Sequence, residues 1–417
     1  MLILRQLFDQ AVIHAYCLFT RLRQLPSIMR ERTPRFLGDE VLRPADGTRY
    51  AIVVKYAGFG VAQDFLDLLD ALRRAGVNTI VVCNGELRPE ERSKVAALAH
   101  RIMTRENIGR DMGAYRAVTL HLQRSGLRPS RMLYFNDSVI YLAGTGLDTL
   151  VARLAEEGDY DITGSFENHE LVHHIGTYAF SISGTVFYDP AVLRFWERYR
   201  PYDLRPHAIH QGELAFSAVT QKRGYRKDVV YSADRLALKL DAMDLPTLVS
   251  TLRYLPFGPF RSYDIKALLE GPTKTVRLLS KVGEKKRRAA APPAALASGT
   301  PTLSAYRAAR ASAAQEAAPA AEGGRFVTET LVNHMMGMIV DGSQAHRGAA
   351  IFHRVMDSPL IKKDLLMRGL FVEHDCARFL DHLPAATREH IMRELINRGR
   401  LVYLRGWRAF QVRHGLI

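Results

Sequence analysis

Between Tyr50 and Phe135 the sequence alternates short apolar runs, AIVVKY, TIVVCN, RIMT and MLYF, with longer segments whose apolar residues recur at helical spacing. Phe65, Leu66, Leu68, Leu69 and Leu72 mark the first such segment, and Val95 and Leu98 the second. Strands that alternate with amphipathic helices pair in parallel through right-handed crossovers. The expected class is therefore α/β, a mostly parallel, Rossmann-like sheet flanked by helices. In open sheets of this kind ligands bind outside the carboxyl ends of the strands. Residues that follow each run are the ones to weigh for chemistry.

The richest stretch is 101–138, RIMTRENIGRDMGAYRAVTLHLQRSGLRPSRMLYFNDS. Glu106 to Asp111 read as a polar turn, Gly113 to Arg124 as a helix, and Met132 to Phe135 as a strand running into Asn136, Asp137 and Ser138. Two polar loops then face one sheet edge, which makes Asn107, Asp111, Asn136 and Asp137 candidates. A carboxylate at a strand end, such as Asp137, can hold a divalent ion against a diphosphate; the same position also suits an ordinary turn aspartate. Asp111 can cap the helix near Gly113, accept hydrogen bonds from a ribose or base, or do both. Gly109 and Gly113 either admit a ligand close to the backbone or satisfy turn geometry. The earlier turn AGFGVAQ carries Gln63 where a dinucleotide fingerprint needs its third glycine, so nicotinamide chemistry is not expected.

Downstream, strands are expected at Asp161 to Phe166 and at Phe180 to Tyr188, with Pro190 opening a helix that bears Phe195 and Trp196. HAIHQGELAFSAVTQKRGYRKDVVY reads as a helix ended by Gly224 and then a closing strand. Glu213 in that helix is either a general base or a solvated surface carboxylate. In the loop ENHELVHHIGTY, His169, His173 and His174 lack zinc-site spacing and have no cysteine nearby, so the loop is expected to close over substrate. Residues 1–45 form a basic amphipathic helical segment, with Leu4, Leu7, Phe8, Leu18, Phe19 and Leu22 among arginines. Its apolar centre is far short of the ~20 residues of a membrane span, and it shows no signal-peptide cleavage pattern. It is expected either to lie on an anionic leaflet or to pack on the main domain. The main domain spans 50–270, an Ala/Pro-rich disordered linker 283–324 with the run Lys285 to Arg288, and a small helical region 325–417. A formal charge of +15 suits phosphorylated molecules or anionic lipid. No RNA-recognition signature or helix-turn-helix is legible, so nucleic acid is not an expected partner. The three scattered cysteines, Cys17, Cys83 and Cys376, point to a reducing cytoplasm.

ENIGRDMGAY, YFNDS, DITGSF, the apolar strand before FWERY, and GELAFSAVTQKRGY occur in an order that resembles the rhamnan synthesis F family of polysaccharide glycosyltransferases. The likeness runs from about Tyr50 to Tyr231, and NHMMGMIVDG followed by SPLIKKDLLMRG is similar to the family's tail element. The resemblance implies a divergent glycosyltransferase A fold and inverting transfer of a deoxyhexose such as L-rhamnose. The donor would be a nucleotide sugar such as dTDP-rhamnose, and the acceptor a growing glycan or lipid-linked glycan of a cell-surface polysaccharide or lipopolysaccharide. The reaction would take place at the cytoplasmic face of a membrane, with the protein peripheral to it. Carried over by position, Tyr56 and Asn84 line the nucleotide, and Asn107, Gly109 and Asp111 hold the base and ribose side. Asn136 and Asp137 stand near the diphosphate, and Glu213 is the catalytic base. Related enzymes carry two acidic residues separated by one at Asn136 to Ser138, whereas here Asp137 stands alone. Mg²⁺ or Mn²⁺ at Asp137 and counter-charge from Lys55, Arg110 or a helix amino terminus are thus alternatives. A catalytically silent scaffold of the assembly machinery is the competing function.

Overall fold

The computed structural model describes residues 2–256 and 319–417. Its centre is a nine-stranded sheet. The strands are β1 (Gly38–Val41), β2 (Arg49–Tyr56), β3 (Asn78–Asn84), β4 (Arg101–Arg105), β5 (Arg131–Asn136), β7 (Ile162–Asn168), β8 (His174–Ile175), β9 (Ala179–Ser183) and β10 (Lys227–Tyr231). The order is β1-β4-β3-β2-β5-β9-β7-β10, with β8 paired to β7. β4, β3, β2 and β5 pair in parallel, as the alternation requires. β9 runs antiparallel between β5 and β7, and β10 is parallel to β7.

The pleat divides β2 between two cores, since successive strand side chains point to opposite faces. Ala51 and Val53 face one layer with α2 (Gln63–Arg74) and α5 (Thr145–Ala155). Ile52 and Val54 face the other, with α4 (Arg110–Arg124) and the helix Pro190–Arg198 bearing Phe195 and Trp196. Chain order runs outward from β2 through β3 and, after α3 (Pro89–Ala96), β4, then returns to β5 on the other side of β2. The β2–β5 boundary is therefore the switch point at which a crevice opens.

Several expectations need correction. The segment 1–45 is a helix, α1 (Leu2–Arg30), only in part; its remainder includes β1, which joins the sheet edge antiparallel to β4. The strand expected from Phe180 to Tyr188 ends at Ser183, whose side chain caps a short helical turn, Gly184–Phe187. α4 begins at Arg110, with Gly109 as its N-cap in the left-handed region, so Asp111 sits inside the first turn and does not cap it. Residues 325–417 are not separate from the sheet domain. Leu331, Met335 and Ile339 share its core, and β11 (Leu360–Lys362) pairs antiparallel with β6 (Val139–Tyr141). Of the linker, 319–324 form the start of the helix Pro319–Val340; 283–318, with Lys285 to Arg288, lie outside the described residues.

α1 packs on the main domain, one of the two arrangements expected for it. Thr20 and Ile28 are buried, and Gln24 exchanges hydrogen bonds with Asp203 (3.0 Å to Oδ2 and 2.9 Å from the backbone NH). The carbonyls of Glu31 and Arg32 accept hydrogen bonds from the buried Arg116 guanidinium, which satisfies groups that a helix end leaves open. The opposite face carries Leu4, Leu7, Phe8, Leu18, Phe19, Leu22, Leu25 and Met29, 44–71% exposed.

Candidate active site

At the switch point the last residues of β2 and β5 come together. Lys55 Nζ lies 2.8 Å from Asp137 Oδ2, with side-chain exposures of 3% and 9%. The Tyr56 backbone NH donates to the same oxygen at 3.1 Å. Lys55 therefore neutralises Asp137 and does not stand free as counter-charge. This geometry disfavours a resident Mg²⁺ or Mn²⁺ at Asp137: the Lys55 ammonium already offsets the carboxylate charge and occupies Oδ2. Among the described residues, no group of three or more potential metal ligands includes Asp137. Asn136 spends its side-chain oxygen on the Ser138 backbone NH (3.1 Å) and hydroxyl (2.7 Å), which shapes the turn. Tyr56 is partly exposed and meets Phe59 edge-on, and the Arg398 guanidinium covers Phe59 at 3.9 Å.

Asp111 stands near enough to Asp137 at this crevice for the two charges to repel. Burial pushes its carboxyl up to about 6; the charge of Asp137 adds to that, Arg110 and Lys362 oppose it, and Glu213 acts in the same sense as Asp137. Asn107 is exposed in the turn before α4. Gly109 turns out to be a packing residue: a Cβ there would meet Pro201 Cβ at 2.2 Å, and its NH donates to Asp203 Oδ1 at 2.6 Å. Asn84 is likewise turned to support. It is buried, and its Oδ1 accepts from Arg105 Nη1 at 2.8 Å, while Arg105 Nη2 donates to the Ile108 carbonyl at 3.0 Å. The two residues brace the β4–α4 turn from beneath.

Glu213 is neither on a regular helix nor fully solvated. Residues Ala208–Leu214 form a π-helical stretch, a wide turn that recurs at functional sites. Thr177 Oγ1 donates to Glu213 Oε1 at 3.0 Å, and the buried His174 places Nε2 at 3.6 Å from Oε2. Burial favours the neutral forms of both groups, but their mutual attraction prevails: His174 is held above its ordinary pKa and Glu213 below. His174 is thus a buried partner of Glu213, while His169 and His173 stay at the exposed tip of the β7–β8 hairpin.

Sequence reasoning missed two cations. Lys362, at the end of β11, lies 3.7 Å over the Tyr178 ring and 3.3 Å from Ser138 Oγ. Burial lowers its pKa to about 8, with Asp364 and Glu213 opposing and Arg205 reinforcing the shift. Among the described residues neither Lys362 nor Arg205 has a carboxylate within ion-pair distance. The one available signal was the pair of lysines in SPLIKKDLLMRG, which spacing alone does not connect to this crevice. Arg110 stands at the rim with φ 56°, a left-handed conformation uncommon for a residue with a side chain.

The crevice lies largely within a segment that known proteins share. The family model described as rhamnan synthesis protein F matches residues 79–250. That segment is rhamnan synthesis F-like. The match bears out the resemblance read from the motifs in that segment; β2 and β11 fall outside it. The uncharacterized protein y4gN of Sinorhizobium fredii (strain NBRC 101917 / NGR234) is 24% identical over 208 residues, 49% of this chain and 54% of that protein. The chain thus spans about half the length of this curated relative. Among solved structures, the glycosyltransferase GlyE of Streptococcus pneumoniae TIGR4 overlaps 36% of this chain and 37% of its own, at 8% identity and a TM-score of 0.24. The galactosyltransferase LgtC, solved with donor and acceptor sugar analogues, overlaps 43% of this chain and 72% of its own, at 9% identity and a TM-score of 0.24. Overlaps that partial say nothing of chemistry here.

Proposed function

We propose that the chain is a glycosyltransferase that moves a sugar from a nucleoside-diphosphate donor to a glycan hydroxyl. The observation that carries this reading is that Asp137, Glu213 and Lys362 all lie near enough to Asp111 for their charges to act on it, at the carboxyl edge of the sheet. Tyr56 offers an exposed ring against which a base can stack, and Asn107 and Asp111 flank the ribose side. Lys362 and Arg205 supply the counter-charge for the departing diphosphate, in place of a metal at Asp137. Glu213 takes the proton from the acceptor hydroxyl, whose oxygen bonds to the anomeric carbon as the bond to phosphate breaks and its electron pair leaves with the nucleotide. Attack opposite the leaving group inverts the sugar carbon. His174 and Thr177 hold Glu213 in place for this role.

The finer parts of the reading are L-rhamnose as the sugar, a donor such as dTDP-rhamnose, and a lipid-linked or polysaccharide acceptor. We place the reaction at an anionic membrane surface on the cytoplasmic side. Among the described residues no helix is long and apolar enough to cross a bilayer. The outer stripe of α1, flanked by Arg21, Arg23 and Arg30, has the composition of a helix that lies in the headgroup region.

The decisive experiment incubates the chain with a panel of nucleotide sugars and lipid-linked acceptors and follows nucleotide release. Release from one donor by the wild type, with a loss of at least about 100-fold in Glu213→Gln, is expected for a general base of this kind. Release from no donor, together with unchanged glycan output in cells carrying Glu213→Gln, would instead favour the silent scaffold.

A further inference from the structure

The tip of the β7–β8 hairpin gathers residues that the transfer reaction does not use. His173 Nε2 stands 3.0 Å, and His169 Nε2 3.6 Å, from the same oxygen of Glu167, Oε2. All three candidate ligand atoms lie within 4.8 Å of one another. The imidazole rings are 4.9 Å apart at their centroids and tilted by 45°, so they converge without stacking. A zinc-class ion bound at about 2.0–2.2 Å to nitrogen and oxygen sets neighbouring tetrahedral ligands roughly 3.3–3.5 Å apart. The two measured separations bracket that edge length.

Glu167 is also held as a ligand would be. Its other oxygen, Oε1, accepts the backbone NH of Ala233 at 2.9 Å, at the start of the helix Ala233–Asp241, which leaves Oε2 facing the imidazoles. Such outer contacts orient ligating carboxylates in metal sites. The hairpin supports the loop locally: Asn168 Oδ1 accepts the Glu170 NH at 2.8 Å, and Asn168 pairs with His174 across the strands. A neutral imidazole carries one ring lone pair, and those of His169 and His173 can both be directed at a shared point beside Oε2. The exposed side of the cluster leaves room for water at the remaining coordination position.

We propose that Glu167, His169 and His173 form a divalent transition-metal site of the zinc class, two imidazole nitrogens and one carboxylate oxygen. The site lies one residue from His174, the partner of Glu213, so a bound ion ties the hairpin tip and steadies the residue behind the candidate base. Hard cations such as Mg²⁺ prefer all-oxygen sites and do not compete here. The proposal rests on the geometry of this cluster and not on sugar transfer.

The test uses the full, untagged chain, stripped with a chelator, titrated with Zn²⁺ by calorimetry and with Co²⁺ by visible absorption. One ion per chain is expected in the wild type, with tetrahedral-type Co²⁺ bands and no competition from millimolar Mg²⁺. His169→Ala/His173→Ala, whose side chains are partly exposed, should bind at least about 100-fold more weakly, beyond the usual cost of losing an outer-sphere contact. A Glu167→Gln variant should show a weaker but measurable site, while circular dichroism confirms that all variants are folded. Equal Zn²⁺ binding by wild type and double variant, or none by the wild type, overturns the proposal. Because no donor sugar is present, neither result depends on whether the chain transfers one.

Discussion

At the scale of single residues, the site is defined by which charges are already satisfied. The Asp137 carboxylate is matched by the buried Lys55 ammonium, and removing one member of such a pair strands the other. Asp137→Ala is expected to cost about 3–5 kcal/mol of stability, read from the denaturant midpoint, and Lys55→Met in that background should recover part of it. No recovery would mean that Lys55 is not the stranded partner. Asp111 differs in that its carboxyl, raised to about 6, keeps its proton across the mildly acidic range. The sign follows from repulsion: below about pH 6 a neutral Asp111 tolerates an anionic donor, and above it the carboxylate opposes one. Nucleoside-diphosphate affinity should therefore fall as pH rises through 6, and Asp111→Asn should remove that step in a calorimetric pH series. Motif reading singled out Asp111 and Asp137 because strand ends and polar turns leave a local signature, whereas Glu213 was put forward as the base only through the family resemblance. It could not tell that Asn84 and Gly109 serve as supports, since that depends on Arg105 and on Pro201, which no local pattern reports.

At the scale of elements, α1 carries one face packed on the body and one exposed apolar face. Tyr16, Thr20 and Gln24 lie on the face turned to the body; Tyr16 packs edge-on against Trp407, and Gln24 reaches Asp203. Leu4, Phe8, Leu18, Leu22 and Met29 lie on the other face, at spacings of three, four or their sums. Replacing Leu18 and Phe19 with glutamate should abolish co-sedimentation with anionic vesicles while leaving the denaturant midpoint within about 0.5 kcal/mol of wild type, as expected for exposed positions. A wild-type chain that ignores anionic vesicles, or a loss of folding in the variant, would contradict this account of the outer face. Helical periodicity made both faces visible in the sequence. It could not say which of them packs on the body, because burial is a property of what stands opposite.

At the scale of the whole molecule, the carboxyl-terminal region is built into the sheet domain through polar as well as apolar contacts. Asp64 in α2 meets Lys363 Nζ at 3.4 Å and His390 Nε2 at 3.8 Å. The neighbouring Asp64 carboxylate is the main reason His390 is held above its ordinary pKa of 6.5. A raised pKa means that the folded state binds the proton more tightly. The pair's contribution is fully present below 6.5 and is lost as pH rises through the raised value. The denaturant midpoint should fall over that window, and His390→Gln should flatten the fall; a variant with the same pH dependence as wild type would remove His390 from the account. By itself the amino-acid order determined the alternating elements, the parallel core of the sheet and the polar rim at its carboxyl edge, because each is written in periods of two or 3.6 residues or in the turn that follows. Tertiary structure alone decided that Lys55 neutralises Asp137 across 82 residues and that Lys362 reaches Ser138 across 224. Contacts that distant leave no periodic trace in the chain; they exist only once the backbone has brought the two side chains to one place.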